Sequence, residues 1–369
     1  MHVMFTVAEM GSGGAEAVVS TLARDVAARG ARVTVASSGG WRAAELDGQG
    51  ARLVSVPLRG RRPLDLARAA IALRRERIRA SVSLLHAHNV KAAVVSAAGW
   101  PNAFPRGGQR VPLVVTLHGV PTGRYRDAAR ILNRCADHVV AVSTEVAERV
   151  VTAGFPSSRT QVIENAVVAP EAHDRIDARR RLGIACDARV VVCVARLAPQ
   201  KRHDLLVAAW QQMPADAVLL IVGEGVTRPA VDAAIGRTGQ RDRIRLLGER
   251  HDVDWLLAAA DACVLPTDWE GLPISVLEAM AAGVPVVASA VTGLAAFGAA
   301  IQLVPPGSAT ALADGLRHVL ADESRRRKLI TAGLALARDR FAPARMCEQY
   351  RDLYAAVGMP VPAAPGGVA

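Results

Sequence analysis

Two glutamates eight residues apart, Glu270 and Glu278, lie in a stretch whose residue types could bind a ligand that carries both hydroxyl groups and phosphate. The stretch Asp268–Ser289 reads DWEGLPISVLEAMAAGVPVVAS. The backbone N–H groups of Gly271 and Leu272 lie at a predicted helix start, where free amides and the helix dipole favour an anion. Carboxylates beside that anion would repel it unless they faced hydroxyl groups. Sugars and riboses supply hydroxyl groups, so the pattern is typical of a sugar–phosphate site.

The same two carboxylates have other interpretations. Eight residues of helix rise about 12 Å, whereas the carboxylates of a glycoside hydrolase lie roughly 5–9.5 Å apart. A loop could shorten that distance, so the spacing disfavours a hydrolase without excluding it. Alternatively, Glu270 complements the helix dipole and Glu278 is solvated.

The flanking residues predict the elements that hold the pair. The apolar run Ala262–Leu265 predicts a buried strand. Pro273 suits the first turn of a helix, Gly283 suits its end, and Val284–Ala288 predicts the next strand. The order is therefore strand, loop, helix, strand, with Glu278 inside the helix.

Two cations follow an earlier predicted strand. Arg196 and Lys201 come after Val190–Ala195, on a loop that enters a helix. A guanidinium and an ammonium in that place suit a diphosphate, although both could be solvated. Lys201 is one of three lysines in a chain with 45 basic residues, so arginine-rich composition does not explain it.

The first half begins with a glycine loop. The predicted strand Val3–Ala8 precedes Gly11, Gly13 and Gly14, and such a loop brings backbone N–H groups close to an anion. The match to a dinucleotide fingerprint is partial, because Glu16 stands where the third glycine belongs. A tight turn that needs glycine is the alternative.

His118 follows the predicted strand Leu113–Leu117, at the strand end where open α/β sheets bind ligands. A hydrogen-bonded core histidine is the alternative. His86 and His88 are weaker candidates, since a metal pair at that spacing has no third ligand nearby. Asp252 and Asp254 form a D-x-D, for which we favour a helix N-cap at Asp252 over a metal site.

Composition limits the protein class. The chain has 369 residues, 51% apolar and 21% charged, which indicates a globular protein of two domains. Five separated cysteines without a C-x-x-C suggest reduced thiols in a cytosol. We see neither a secretion signal nor an apolar run long enough to span a membrane. The expected location is the cytoplasm.

Strands and helices alternate twice along the chain, with a break near Pro170. This predicts an α/β fold of two Rossmann-like domains facing each other across a cleft, with domains at 1–167 and 168–340. Residues 1–165 carry a net charge of +10 and the remainder +1. Because 42 of the 45 basic residues are arginine, base composition of the genome could contribute to this imbalance.

Several motifs together resemble those of the retaining glycosyltransferases of family 4, which have the GT-B fold and use nucleotide-sugar donors. They are VVAVS, VIENA, VARLAPQKR, LLIVGEG, IRLLGER and the stretch CVLPTDWEGLPISVLEAMAAGVPVVAS. The resemblance covers nearly the whole chain. It also implies a last helix, at 341–357, that packs back on the first domain.

By that resemblance, Arg196 and Lys201 hold the diphosphate of the donor, Glu278 binds the ribose and Glu270 binds the donor sugar. His118 would contact the transferred sugar. Transfer would occur on one face of the sugar without a protein nucleophile, a metal or another cofactor, and the donor phosphate would take the acceptor proton.

Further donor contacts are implied for both domains. Gly13 and Gly14 would approach the phosphate or sugar, while backbone near Arg250 and the Gly223–Gly225 loop would border the base. The segment after Ser289, VTGLAAFGAAIQLVPPG, is shorter than is usual in the family and lacks its acid. This departure alters the donor surroundings without changing Arg196, Lys201 or either glutamate.

Rival functions include a nucleotide-sugar epimerase of the same architecture and a nucleotide-binding module, whereas a dehydrogenase would need the glycine that Glu16 replaces. The sequence does not distinguish between UDP and GDP as the nucleotide of the donor. We expect a glycan, lipid-linked or small-molecule acceptor at the basic first domain, with contact to the anionic inner face of a membrane as a hypothesis, and no nucleic acid. The arginines concerned are Arg59, Arg61, Arg62, Arg74, Arg75, Arg77, Arg79, Arg124, Arg126, Arg130 and Arg134.

Overall fold

The computed structural model describes residues 1–60, 62–98 and 111–363. The chain divides into two compact units: unit 1 is Met1–Asn165 with Pro343–Ala369, and unit 2 is Ala166–Ala342. The boundaries lie within two residues of those predicted from the sequence. Within the described residues, no helix is both long and apolar enough to cross a membrane.

The described part of unit 1 contains a parallel sheet of seven strands in the order β3-β2-β1-β4-β5-β6-β7. The strands are β1 (His2–Thr6), β2 (Arg32–Ser37), β3 (Ala51–Ser55), β4 (Leu84–His88), β5 (Leu113–Leu117), β6 (His138–Ala141) and β7 (Thr160–Val162). All residues of β1, β4 and β5 are buried, as expected for parallel strands covered on both faces.

Helices cover both faces of this sheet. They are α1 (Gly14–Ala28), α2 (Trp41–Leu46), α3 (Pro63–Ala80), α4 (Val90–Ala98), α5 (Tyr125–Cys135), α6 (Thr144–Thr152) and α15 (Pro343–Ala356). The helices α3 to α6 lie side by side, whereas α1 packs against α2 and α15. Two side chains of α15 bind the rest of unit 1. Arg351 pairs with Asp25 at 2.8 Å, and Tyr354 forms a hydrogen bond with His86 at 2.7 Å.

The described part of unit 2 repeats the design with six parallel strands in the order β10-β9-β8-β11-β12-β13. The strands are β8 (Arg189–Val194), β9 (Ala217–Val222), β10 (Ile244–Gly248), β11 (Ala262–Leu265), β12 (Val286–Ser289) and β13 (Gln302–Val304). The helices are α7 (Arg175–Arg181), α8 (His203–Trp210), α9 (Arg228–Thr238), α10 (Val253–Ala259), α11 (Ile274–Ala281), α12 (Thr292–Ala295), α13 (Ala309–Ala321) and α14 (Glu323–Asp339). Two Rossmann-like units are therefore confirmed.

Two edge strands differ from the sequence prediction. The strand β7, at the edge of the unit 1 sheet, and the strand β13, in the segment after Ser289, were not predicted. Each of these strands has three residues, too few to show an alternating or continuous apolar pattern. The prediction of a strand at Ala262–Leu265 is correct at both ends, where β11 lies.

Candidate functional site

The strand order of unit 2 reverses between β8 and β11, which are neighbours in the sheet. A crevice opens at such a reversal, at the carboxyl ends of the strands, and open α/β sheets bind ligands there. Arg196 and Lys201 follow β8, and Glu270 follows β11. The topology therefore brings the predicted cations and the first predicted acid to one edge of one sheet.

Lys201 and Glu270 form an ion pair at this edge. Lys201 Nζ lies 2.5 Å from Glu270 Oε1, and the two side chains are 13% and 9% exposed. The hydroxyl of Thr267 also donates to Glu270 Oε1, at 2.8 Å. Because both charges are largely removed from water, loss of either partner would leave an uncompensated charge.

Backbone contacts hold the two loops together. The amide of Asp268 donates to the carbonyl of Gln200 at 2.9 Å, and the hydroxyl of Thr267 lies 3.0 Å from the same oxygen. Arg202 adds an ion pair with Asp268 at 3.1 Å. Thr267 was missed in the sequence, because a threonine in a loop carries no signal until its neighbours are known. The ion pair is thus positioned by loops that are fixed to each other.

Arg196 is exposed, and within the described residues its guanidinium has no ion pair or hydrogen bond. Its loop packs closely on the turn after β9. A Cβ on Gly223 would lie 2.1 Å from the carbonyl oxygen of Ala195, and one on Gly225 would lie 2.2 Å from that of Leu197. Only glycine permits this approach, so the backbone on both sides of Arg196 is held while its side chain stays available to a ligand.

The helix α11 begins after Pro273, as the sequence predicts, and Gly283 follows its end with a φ of 69°. Glu278 is half-buried on this helix, and Gly271 and Leu272 are buried just before it. The segment after Ser289 is closer to the site than the sequence suggested. A Cβ on Gly293 would lie 2.5 Å from the carbonyl oxygen of Glu270, so the shortened segment packs directly on the Glu270 loop.

The D-x-D residues each have a protein partner. Asp252 precedes α10 at the predicted N-cap position, but its side chain makes no cap hydrogen bond. Instead, Arg250 binds both of its oxygens, at 2.8 and 2.7 Å. Asp254 accepts a hydrogen bond from His173 at 2.5 Å. The predicted position of Asp252 at the start of the helix is therefore correct. The predicted capping hydrogen bond is wrong, because the carboxylate binds Arg250 instead.

One group among the described residues has metal-ligand composition. Ligand atoms of Glu171, His173 and Asp254 all lie within 4.8 Å of one another. The His173 ring also stacks on Trp255, with centroids 3.9 Å apart. The hydrogen bond and the stacking together account for the position of His173 without a metal.

In unit 1, the sheet order reverses between β1 and β4. The glycine loop follows β1, and Gly13 precedes α1 at the N-cap position. A Cβ on Gly13 would lie 2.1 Å from a carboxylate oxygen of Glu16, so that acid folds back on the helix start. A carboxylate in this position opposes a pyrophosphate, which agrees with the partial fingerprint.

Two side chains of α2 form hydrogen bonds with the glycine loop, the first from Trp41. Its indole N–H donates to the Ser12 hydroxyl at 3.1 Å, and Arg42 donates to the Gly11 carbonyl at 3.0 Å. Neither contact could be predicted from the sequence, because α2 is short and separated from the loop by a helix and a strand.

The histidines predicted at the strand ends are brought together. His88 Nδ1 lies 2.9 Å from His118 Nε2, and their rings are stacked with centroids 5.2 Å apart. His88 is 1% exposed, and its Nε2 has no hydrogen-bond partner within the described part of the chain. His86 is also buried and bonds Thr116 and Tyr354. The structure thus makes His86 a satisfied core histidine, whereas the half-buried His118 lies at the carboxyl edge.

Burial keeps these rings neutral. Burial lowers the pKa of His118 to about 4 and that of His86, with a smaller contribution from His118, to about 3. Burial lowers the pKa of His88 well below 6.5, and the two neighbouring rings add to the effect. One ring of the His88–His118 pair therefore donates an N–H to the lone pair of the other.

These pKa shifts predict a pH-dependent stability. The unfolded chain binds protons near pH 6.5 and the folded chain only at lower pH, so the stabilisation is complete above 6.5 and is lost as the pH falls below it. Each histidine contributes a slope of at most about 1.4 kcal/mol per pH unit. We expect the urea midpoint to fall between pH 6.5 and about 5, and His88→Phe to reduce this dependence.

The exposed His318 provides the control, and His318→Gln should keep the wild-type pH dependence. A wild-type midpoint that does not change over this range would contradict the neutral state of the buried rings.

Comparison with known proteins identifies the family. The model described as Glycosyltransferase Family 4 matches residues 12–169, and that described as Glycosyl transferases group 1 matches 174–335. A D-inositol 3-phosphate glycosyltransferase from Salinispora tropica is 31% identical over 355 residues, which cover 82% of this chain and 71% of that protein. The chain belongs to glycosyltransferase family 4. The resemblance drawn from the motifs is confirmed.

Other relatives match over shorter regions. A D-inositol 3-phosphate glycosyltransferase from Xylanimonas cellulosilytica is 30% identical, and the match spans 74% of this chain but 66% of that protein. An N-acetyl-alpha-D-glucosaminyl L-malate synthase from Bacillus anthracis is 25% identical over 79% of each chain. These relatives are named as transferases and synthases, which does not favour the epimerase.

Solved structures agree with the fold. HepE of Anabaena, crystallised with UDP and glucose, matches with a TM-score of 0.83 and 24% identity over 96% of this chain and 99% of that one. A sucrose-phosphate synthase from Thermosynechococcus elongatus matches with a TM-score of 0.81 and 21% identity over 97% of this chain and 99% of that one. The two Rossmann-like units are those of the GT-B fold.

Proposed function

We propose that this protein transfers a hexosyl group from a UDP-sugar to an acceptor hydroxyl, with retention of the anomeric configuration. The observation that carries the proposal is the Lys201–Glu270 ion pair at the strand reversal of unit 2, together with Arg196, which has no partner in the described part of the chain. UDP is chosen over GDP because a protein of the same fold, HepE, was crystallised with UDP and with UDP-glucose.

The charges of the site suit a diphosphate next to a sugar. Lys201 and Glu270 neutralise each other, whereas Arg196 has no ion pair within the described residues. We assign Arg196 and Lys201 to the diphosphate, where two cations offset charge as it builds up on the leaving group. The remaining acceptor capacity of the Glu270 carboxylate suits hydroxyl groups of the sugar.

Other donor contacts follow from the family. Glu278 binds the ribose hydroxyls, and the backbone N–H groups of Gly271 and Leu272 face the phosphate at the start of α11. Backbone near Arg250 and the Gly223–Gly225 loop borders the base.

The reaction needs no protein nucleophile. The bond between the anomeric carbon and the diphosphate breaks, and the acceptor oxygen bonds to that carbon on the same face. The acceptor proton passes to the departing phosphate oxygen, so UDP leaves as the other product. In unit 1, His118 contacts the transferred sugar, and Gly13 and Gly14 approach that sugar.

For the acceptor we propose a lipid-linked or cell-surface glycan precursor at the inner face of the membrane. Residues 1–165 carry the charge of +10, which suits an anionic partner. The named relatives act on small anionic acceptors, D-inositol 3-phosphate and L-malate. A small soluble acceptor is therefore the second candidate.

A ligand screen tests the donor assignment. Thermal unfolding is measured with UDP, GDP, ADP and their sugars, because a ligand that binds the folded state raises the melting temperature. We expect the largest increase with UDP and UDP-hexoses. A larger increase with GDP would assign guanine, not uracil, as the base of the donor. No increase with any nucleotide would overturn the proposed function.

Metal independence is a separate prediction. Arg196 and Lys201 supply the positive charge that a metal ion would otherwise supply to the diphosphate. Asp252 and Asp254 are bound by Arg250 and His173. We expect UDP release from UDP-glucose and acceptor to be unchanged by a chelator. Asp252→Asn should lower the melting temperature, because it weakens the contacts with Arg250, and leave kcat nearly unchanged. Loss of activity in chelator that manganese restores would contradict this prediction.

A further inference from the structure

The outward face of α3 combines exposed apolar side chains with arginines. Leu64, Ile71 and Ile78 are 61%, 52% and 59% exposed. Residues seven apart on a helix are about 20° apart around its axis, so these three form one stripe about 21 Å long. The opposite face, which includes Ala69, Ala70 and Leu73, packs into unit 1. The stripe therefore points away from the core.

Arginines flank this stripe on both sides. Helical spacing places Arg68, Arg75 and Arg79 along one side and Arg74 along the other. All four are exposed, and within the described residues none has an ion pair or a hydrogen bond. The sequence indicates Arg74, Arg75 and Arg79 as part of the basic first domain but not the apolar stripe beside them.

The acids of α3 do not offset this charge. Glu76 is 7% exposed and pairs with Arg52 at 3.2 Å, so it faces inward. Asp65 is half-buried next to Gly60. The outward face thus has exposed apolar groups and positive charge together, a composition typical of helices that lie in a membrane interface.

Other parts of the predicted basic surface are only partly neutralised. Arg124 and Arg130 share the single charge of Asp127, at 3.2 and 3.7 Å, and Arg59 pairs with Glu9 at 2.9 Å. Arg61 lies outside the described residues. The helix α3 differs from these clusters because four of its arginines flank an apolar stripe.

We propose that the outward face of α3 docks on an anionic lipid surface, with the helix lying in the plane of the membrane interface. Leu64, Ile71 and Ile78 enter the boundary between head groups and acyl chains, while the flanking arginines bind lipid phosphates. A second copy of this chain is a poorer occupant, because a symmetric contact would bring the same arginines together. The inference extends the acceptor part of the proposed function, since a docked enzyme reaches lipid-linked substrates.

Flotation with vesicles tests the inference on the full chain. Vesicles of phosphatidylcholine with one-third phosphatidylglycerol are compared with phosphatidylcholine alone, at low and high salt. We expect binding to the anionic vesicles only, weakened by salt. The variant Leu64→Ser, Ile71→Ser, Ile78→Ser should lose most of the binding. Arg68→Gln, Arg75→Gln, Arg79→Gln should weaken it about fivefold for each arginine.

Matched controls come from unit 2. Ile176 and Val226 are 52% and 83% exposed, and Ile176→Ser, Val226→Ser should bind vesicles as the wild type does. UDP binding, measured on the same samples, separates failure of the donor site from failure of docking. No vesicle binding at low salt, or equal loss in the control, would overturn the proposal. So would a wild-type dimer that the serine variant converts to a monomer, which would assign the stripe to self-association.

Discussion

The double variant Lys201→Met, Glu270→Gln is expected to fold nearly as stably as the wild-type protein while its kcat/KM falls by about 10²–10³. Both partners of the ion pair are largely buried, and the desolvation of such a pair offsets much of its attraction. A neutral pair of similar volume therefore replaces it at little cost in stability. Glutamine can still accept the Thr267 hydrogen bond. Activity is lost because the donor diphosphate then lacks Lys201.

The single variant Lys201→Met separates stability from function. It leaves the Glu270 carboxylate without its counter-charge and should destabilise the protein by about 3–5 kcal/mol. Thermal unfolding and initial rates are measured on the wild type, the single and the double variant. If the double variant were as active as the wild type, Lys201 and Glu270 would be a structural pair only. If the double variant were as unstable as the single variant, its loss of activity could not be assigned to the missing contact between Lys201 and the donor.

The second large effect is expected for Arg196→Ala. The side chain is exposed and has no partner among the described residues, so its removal should change the free energy of unfolding by less than about 0.5 kcal/mol. A hydrogen bond to a charged group contributes about 1.5–3 kcal/mol. The dissociation constant for UDP should therefore rise about 10- to 150-fold, as measured by calorimetry.

Arg237 is the matched control for Arg196. It is also an exposed arginine of unit 2 without a described partner, but it lies in the last turn of α9, toward the amino ends of the strands. Arg237→Ala should bind UDP as the wild type does. Equal weakening by the two substitutions would indicate a general charge effect and would remove Arg196 from the site.

The local order of elements could be read from the sequence because the signals are local. The apolar run at 262–265, Pro273 and Gly283 define β11, the loop and α11 almost to the residue. The glutamate in that loop and the lysine after β8 could be named as candidates for the same reason. Their ion pair could not, since it depends on β8 and β11 being neighbours in the sheet.

Contacts between segments distant in sequence were beyond such reasoning. Thr267 bonds the carbonyl of Gln200 and Gly293 packs on the Glu270 loop, through distances that only the folded chain sets. The outward face of α3 shows the opposite case. Its arginines were visible in the sequence, but Leu64, Ile71 and Ile78 look like core residues until their exposure is known.

Binding of the donor nucleotide at the carboxyl edge of unit 2 can be tested by hydrogen–deuterium exchange with and without saturating UDP. We expect slower exchange in the loop at 195–201, in the turn at 223–225 and in the segment from Thr267 to the first turn of α11. Exchange at the amino edge of the same sheet, including the last turn of α9, should not change. Protection confined to other parts of the chain, with these three segments unaffected, would rule out a donor site at this edge.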